Sequence, residues 1–199
     1  MRSAVIEVVN MSWPTIVIVS SVLIIMRITL LIKSDRKSFV LHEELLNLMF
    51  IIYLIALFQL VTSQDLTGGG SNFTPFKEIF RYDYGTSAFY KQVIGNILLF
   101  IPFGYFVSRY CKIKGMFPIL IISILTSGVI ECTQHFIGRS FDVDDIILNT
   151  FGGIIGFLIY IGLNAIKNHL PKIFRKRWFY NILSILFIIL VILYIFKII

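Results

Sequence analysis

Residues Phe117–Leu163 read FPILIISILTSGVIECTQHFIGRSFDVDDIILNTFGGIIGFLIYIGL. Two apolar runs, about Phe117 to Ile137 and about Ile146 to Leu163, flank a short polar turn that includes Gly138, Arg139, Ser140, Asp142, Asp144 and Asp145. Each run is long enough to cross a hydrocarbon core of ~30 Å, which takes ~20 residues. In lipid each must be helical, because an open strand would leave its backbone polar groups without partners. A short connection makes two such helices antiparallel neighbours.

Outward from this pair, four more segments have the same character: about Ser12 to Ile32, Leu45 to Thr62, Val93 to Tyr110 and Phe179 to Phe196. Hydrophobic residues make up 57% of the 199-residue chain and charged residues only 15%, against roughly 25% charged in an ordinary globular protein. A soluble fold of this size keeps too much surface in water to hide so much apolar side chain. The sequence predicts an all-α, polytopic membrane helical bundle of about six transmembrane helices, forming a single integral membrane domain over residues 1–199.

The net charge of +7 does not point to nucleic acid, since the basic residues sit in short segments between apolar runs. Lys33, Arg36, Lys37, Arg109, Lys112, Lys114 and the Lys167–Arg177 segment fall on one set of alternate loops, which is the richer in cations. The positive-inside rule places that set in the cytoplasm and both termini outside. Arg27 falls near the cytoplasmic end of its helix, where it can snorkel to the headgroups. The apolar run near the N-terminus lacks a small-residue cleavage site and is expected to be retained. Cys111 and Cys132 fall near opposite faces and are expected as small buried hydrophobes. In the long outer segment, Phe73, Phe76, Ile79 and Phe80 are spaced to form one apolar face of a short interfacial helix.

The densest polar cluster surrounds the turn in the opening stretch. Glu131 and Gln134, three residues apart, share a helix face, as do Asp145 and Asn149, four apart. Glu131 lies ~9 Å below the end of its helix at 1.5 Å per residue. An acid at that depth is costly unless paired, hydrated or protonated, so it is expected to face the bundle interior or a wet cavity. Asn96 reaches the same layer from the preceding helix, which Pro102 is expected to interrupt further down. Gly152, Gly153 and Gly156 form a small-residue face suited to tight helix packing.

Two chemistries suit this cluster. In the first, Arg139 holds the phosphate or carboxylate of an anionic lipid or cell-envelope precursor through its planar fork. Glu131 accepts a proton, and Asp142 or Asp145 orients Arg139 or a ligand hydroxyl; whether bonds are broken stays open. In the second, the chain is a non-catalytic transporter or flippase component, or a membrane scaffold, with Pro102 and the glycines serving helix movement or packing. Purely structural roles compete with both: interhelical polar bonds for Glu131, Gln134, Asn149 and Asn96, and helix capping for Asp145. Glu131 and His135 lie one turn apart, but there is no HExxH or paired-cysteine pattern, so no metal or other cofactor is expected.

Together these residues resemble the VanZ-like family. The resemblance rests on Asn72-Phe73-Thr74-Pro75-Phe76, on Gly95-Asn96 through Pro102-Phe103-Gly104, and on Glu131 with Gln134. It continues through Gly138-Arg139-Ser140-Phe141-Asp142-Val143-Asp144-Asp145, Asn149 and Gly152. It covers about Leu45 to Leu163, leaving the first and last helices outside, and adds Asn72 to the ligand-binding candidates Arg139, Gln134, Asn96 and Asn149. Membership implies a multi-pass protein of the bacterial cell membrane and, for some members, reduced susceptibility to teicoplanin. It implies membrane lipids as partners and no established reaction.

Overall fold

A computed structural model describes residues 40–62, 71–171 and 176–195. Four helices are long and apolar enough to cross a membrane: α1 (Leu41–Thr62), α2 (Ser87–Tyr110), α3 (Met116–Phe136) and α4 (Val143–His169). A fifth, α5 (Arg177–Ile195), is mostly apolar beyond its first turn. The described residues hold no strand; an isolated parallel bridge joins Asn72 to Asp142. The predicted segment Ser12 to Ile32, with Arg27, lies outside the described residues. Among the described residues, then, four helices meet the length and apolarity of a span.

The helices outrun the apolar runs that announce them. α4 begins at Val143 and ends at His169, since its acidic first turn and its Asn164–His169 end are helical although too polar for hydrocarbon. α2 passes through Pro102 unbroken; its irregularity is a wider π turn at Tyr90–Ile94 instead.

The described residues fall into two compact units, one within 53–162 and a second made of 40–52 with the described part of 163–195. In the second, Asn181 Oδ1 lies 2.9 Å from His42 Nδ1 and accepts from the His42 backbone N–H, while Lys167 stands 5.6 Å from the centre of the Tyr180 ring.

The first unit is built on a close approach of α2 and α4. A methyl on Gly104 would collide with the Gly153 carbonyl, one on Gly152 with the Ile97 carbonyl, and one on Gly156 with the backbone of Ile101 and Tyr105. Helices without side chains at their crossing can bring backbones into contact, the packing mode available in lipid where no hydrophobic force pulls helices together. Phe100, Phe103 and Phe106 fill the space beside that seam. α3 turns a face of Ile119, Ser123, Ser127, Glu131 and Gln134 inward. Cys111 and Cys132 are both exposed rather than buried: the first follows the end of α2, and the second lies on α3 away from that inward face.

Candidate functional site

The turn between α3 and α4 assembles the site. Gly138 adopts φ +93°, a conformation that costs glycine little, and its N–H donates to the His135 carbonyl at 3.1 Å. The Arg139 N–H then donates to the Gln134 carbonyl at 2.9 Å. Three residues on, Asp142 caps α4, its Oδ1 accepting from the Asp144 N–H at 2.9 Å. A carboxylate there satisfies one of the helix's orphan donors and suits its positive end.

The segment entering α2 is laced onto that cap. Asn72 donates from its backbone to the Phe141 carbonyl (2.7 Å) and accepts from the Val143 N–H (3.1 Å). Its side chain donates to Asp142 Oδ1 at 2.9 Å while its Oδ1 accepts from the Thr74 N–H at 3.1 Å. Asp144, 1% exposed, spends both oxygens on the same segment: Oδ1 accepts from the Phe76 N–H, and Oδ2 from those of Glu78 (2.7 Å) and Ile79 (3.1 Å). A buried carboxylate needs this much hydrogen bonding to offset its lost hydration.

This clasp explains why the interfacial helix predicted around Phe73–Phe80 shrinks to one 3₁₀ turn, Ile79–Arg81. The N–H groups that would start it point at Asp144 instead. Phe76 sits at φ +66°, a left-handed conformation uncommon outside glycine, and the Asp144 bond to its N–H helps hold it there. Phe73, Phe76 and Phe80 are exposed.

Below the cap lies the helix layer. Glu131, 2% exposed, accepts from the Asp142 N–H at 3.0 Å. With the Gln134 amide turned so that both its ends are satisfied, its nitrogen donates to Glu131 Oε1 at 2.8 Å and its oxygen accepts from Arg139 Nη1 at 3.2 Å, an orientation assigned from the hydrogen-bond network. Asn96 of α2 donates to Asp145 Oδ1, and Asn149 of α4 donates to Ser127 Oγ of α3 at 2.9 Å. The predicted candidates thus fall into three bonded groups: Asn72, Asp142, Glu131, Gln134 and Arg139 in one, Asn96 with Asp145 in a second, and Asn149 with Ser127 in a third.

Above the layer opens a cavity of about 380 Å³. Arg139, Gln134, Asp142, Asp145 and Asn72 line it, whereas Glu131, Asn96 and Asn149 do not. Glu131 reaches the wall through Gln134 and the Asp142 backbone. Sequence reading missed Glu78, Arg81, Tyr82 and Gln92, which also line it. Glu78 and Arg81 carried a usable signal, an opposite-charge pair three apart that forms an ion pair at 3.0 Å; Tyr82 and Gln92 carried none.

The charges divide unequally. Among the described residues the carboxylates bordering the cavity are engaged within the protein: Glu78 with Arg81, Asp142 with Asn72 and its own helix, Asp144 with the loop, Asp145 with Asn96. Arg139 forms no ion pair among them, and Gln134 is the side chain its guanidinium meets. Burial raises the Asp142 carboxyl above its ordinary range, against the opposing bond from Asn72. Burial and then the nearby Glu78 raise the Tyr82 phenol, so it stays a neutral donor at physiological pH.

A model of the VanZ/LLP1 family matches residues 45–167. The chain is 30% identical over 102 residues to Protein VanZ of Enterococcus faecium, an alignment covering 50% of this chain and 62% of that protein. The match therefore spans less than two thirds of that relative's length. No solved structure matches.

Proposed function

The chain belongs to the VanZ/LLP1 family, and from that premise we propose that its polar cavity faces outward and binds the anionic headgroup of a membrane lipid or cell-envelope precursor, lowering susceptibility to teicoplanin. The observation that carries this reading is the contrast between engaged carboxylates and a guanidinium that forms no ion pair among the described residues. Asp142, Asp144 and Asp145 are consumed in building the wall, which leaves Arg139 as the charged group with donors to offer. An Arg fork suits phosphate or carboxylate in a way a point charge does not. Tyr82 and Gln92, which line the same cavity, add donors and acceptors for headgroup hydroxyls.

In this reading Glu131 is a positioning residue rather than a proton acceptor at the ligand. It orients Gln134, and Gln134 orients Arg139. The test is binding of glycerol phosphate and of phosphatidylglycerol to the purified protein, beside teicoplanin susceptibility of a sensitive bacterium at matched membrane levels. Wild type is expected to bind both probes and to protect, and Arg139→Gln to lose both properties. Undiminished probe binding by Arg139→Gln would overturn the assignment. Vancomycin, which lacks a lipid tail, serves as the parallel drug.

A further inference from the structure

A second hollow adjoins the cavity and has the opposite character. It is an apolar groove of about 480 Å³ running along α3, with Ile146 of α4 on its flank. Its α3 wall includes Ile124, Leu125, Gly128, Val129, Cys132 and Phe136, a set that recurs at helical spacing on the side away from Ser123, Ser127 and Glu131. Leu125, Val129 and Phe136 are 64%, 66% and 88% exposed, so in a membrane this wall meets hydrocarbon. Gly128 forms the notch: a Cβ built there meets nothing within 4 Å.

The two hollows share one residue, Phe141. Its ring stacks on Phe73, centroids 5.3 Å apart and planes 21° from parallel, so an aromatic pair stands where polar cavity gives way to apolar groove. From Ile124 to Phe136 the helix rises roughly 18 Å, about the depth of one leaflet of a ~30 Å hydrocarbon core. A polar chamber at a helix end, adjoining an apolar slot one leaflet deep across Phe141, has the form of an amphiphile.

We propose that the groove seats an acyl chain of the same lipid whose anionic headgroup occupies the cavity, with Phe141 at the junction of head and tail. The proposal rests on the headgroup reading given above and adds the part of the ligand that reading leaves out. Its occupant is one chain of a phospholipid. The groove's meeting with the cavity at Phe141 is what separates this seat from the remaining lipid-facing surface.

The test uses the full chain in detergent micelles and three probes: dioleoyl phosphatidylglycerol, dihexanoyl phosphatidylglycerol and glycerol phosphate. Gly128→Leu fills the notch and, with open space around its Cβ, leaves the fold intact. Wild type is expected to prefer the long chains over the short ones by at least about tenfold. Gly128→Leu is expected to lose most of that preference while binding glycerol phosphate as wild type does. Unchanged chain-length preference in Gly128→Leu overturns the proposal, because the groove then holds only exchanging lipid. A change of oligomeric state in Gly128→Leu with lipid binding unaltered also overturns it, in favour of a helix from a second copy. Failure of the headgroup reading is separately visible: Arg139→Gln would then bind all three probes normally, whatever Gly128→Leu does.

Discussion

Asn72 and Asp142, 70 residues apart in sequence, are joined as a single parallel bridge with a side-chain bond across it. The bridge fastens the α1–α2 connection to the first turn of α4 and so fixes one wall of the cavity relative to the other. Asn72→Ala removes the donor to Asp142 and the acceptor for Thr74 at a site only 7% exposed. Leaving buried groups unpaired costs about 1–3 kcal/mol. The expected result is a lower unfolding midpoint in detergent, with faster protease cleavage of the 71–86 segment.

Adjacent acids should respond differently to the same change. Asp144→Asn replaces one of two acceptor oxygens with an amino group facing the N–H groups of the loop. Bonds to a charged group are worth about 1.5–3 kcal/mol, so a loss of at least that size is expected. Amide exchange at Phe76, Glu78 and Ile79 should rise with it. Asp145→Asn keeps an oxygen for the Asn96 donor and should cost less than half as much. Equal losses in the two variants would contradict the clasp.

Glu131→Gln tests orientation without altering the cavity's lining. The new amide would set a donor against either the Gln134 nitrogen or the Asp142 N–H, so Gln134 is expected to rotate and release Arg139. Headgroup affinity should fall on the order of tenfold, which is about 1.4 kcal/mol, and less than in Arg139→Gln. Titrating glycerol phosphate against both variants checks the order; the reverse order would show that Glu131 meets the ligand itself.

Protonation gives a signed prediction at Asp142. Its folded pKa is raised, so the native state holds its proton to higher pH than the unfolded chain does. Asp142 therefore contributes stability that is full below the ordinary aspartate range and is lost as pH rises through the raised value. Glu78, Arg81 and Tyr82 from the loop face the same cavity, as do Arg139 from the turn and Asp144 and Asp145 from α4, so the carboxylates outnumber the guanidinium groups. Lowering the pH through the raised Asp142 pKa should tighten anion binding. Asp142→Asn, whose oxygen can still accept from Asn72 and Asp144, should flatten that part of the profile in both unfolding and glycerol phosphate binding.

The glycine seam predicts a steep contrast. Gly153→Ala puts a methyl against Ser123 of α3, and Gly104→Ala puts one against the backbone of Gly153. Overpacking of this kind costs about 1–3 kcal/mol, more where backbone cannot yield. Gly162→Ala, with nothing within 4 Å of the added Cβ, should be neutral. Unfolding midpoints of the three variants decide it.

Much of this was legible in the sequence, for identifiable reasons. Lipid demands helices of a fixed minimum length, so α3 and α4 announce themselves through unbroken apolar runs. Residues on one helix follow a fixed period, so Glu131 and Gln134 can be read onto one inward face of α3, whereas Asp145 and Asn149 bond to two different helices. The glycines on α4 could be read as a seam because hydrocarbon leaves close packing as the main attraction between helices. Long-range pairing was the harder part. Asp144 stands beside Asp145 with the same chemistry, and local pattern does not say which of them turns toward a loop some 65 residues earlier. The Phe73–Phe80 spacing pointed to a helix because periodicity assumes backbone N–H groups find partners within the helix; here a distant carboxylate takes them. Cys132 illustrates the same limit. Its residue type favours burial, but its position on α3 points toward lipid.

The Asp144 clasp also bears on biogenesis. The loop's anchoring carboxylate lies 65–68 residues downstream of the N–H groups it holds. At ~5–20 residues per second, a ribosome needs roughly 3–14 s to supply it, during which α2 and α3 must already be entering the bilayer. The 71–86 segment therefore leaves the ribosome without its fastener. The chamber it encloses forms only when the first turn of α4 arrives, so assembly of the binding wall is timed by translation of a later helix.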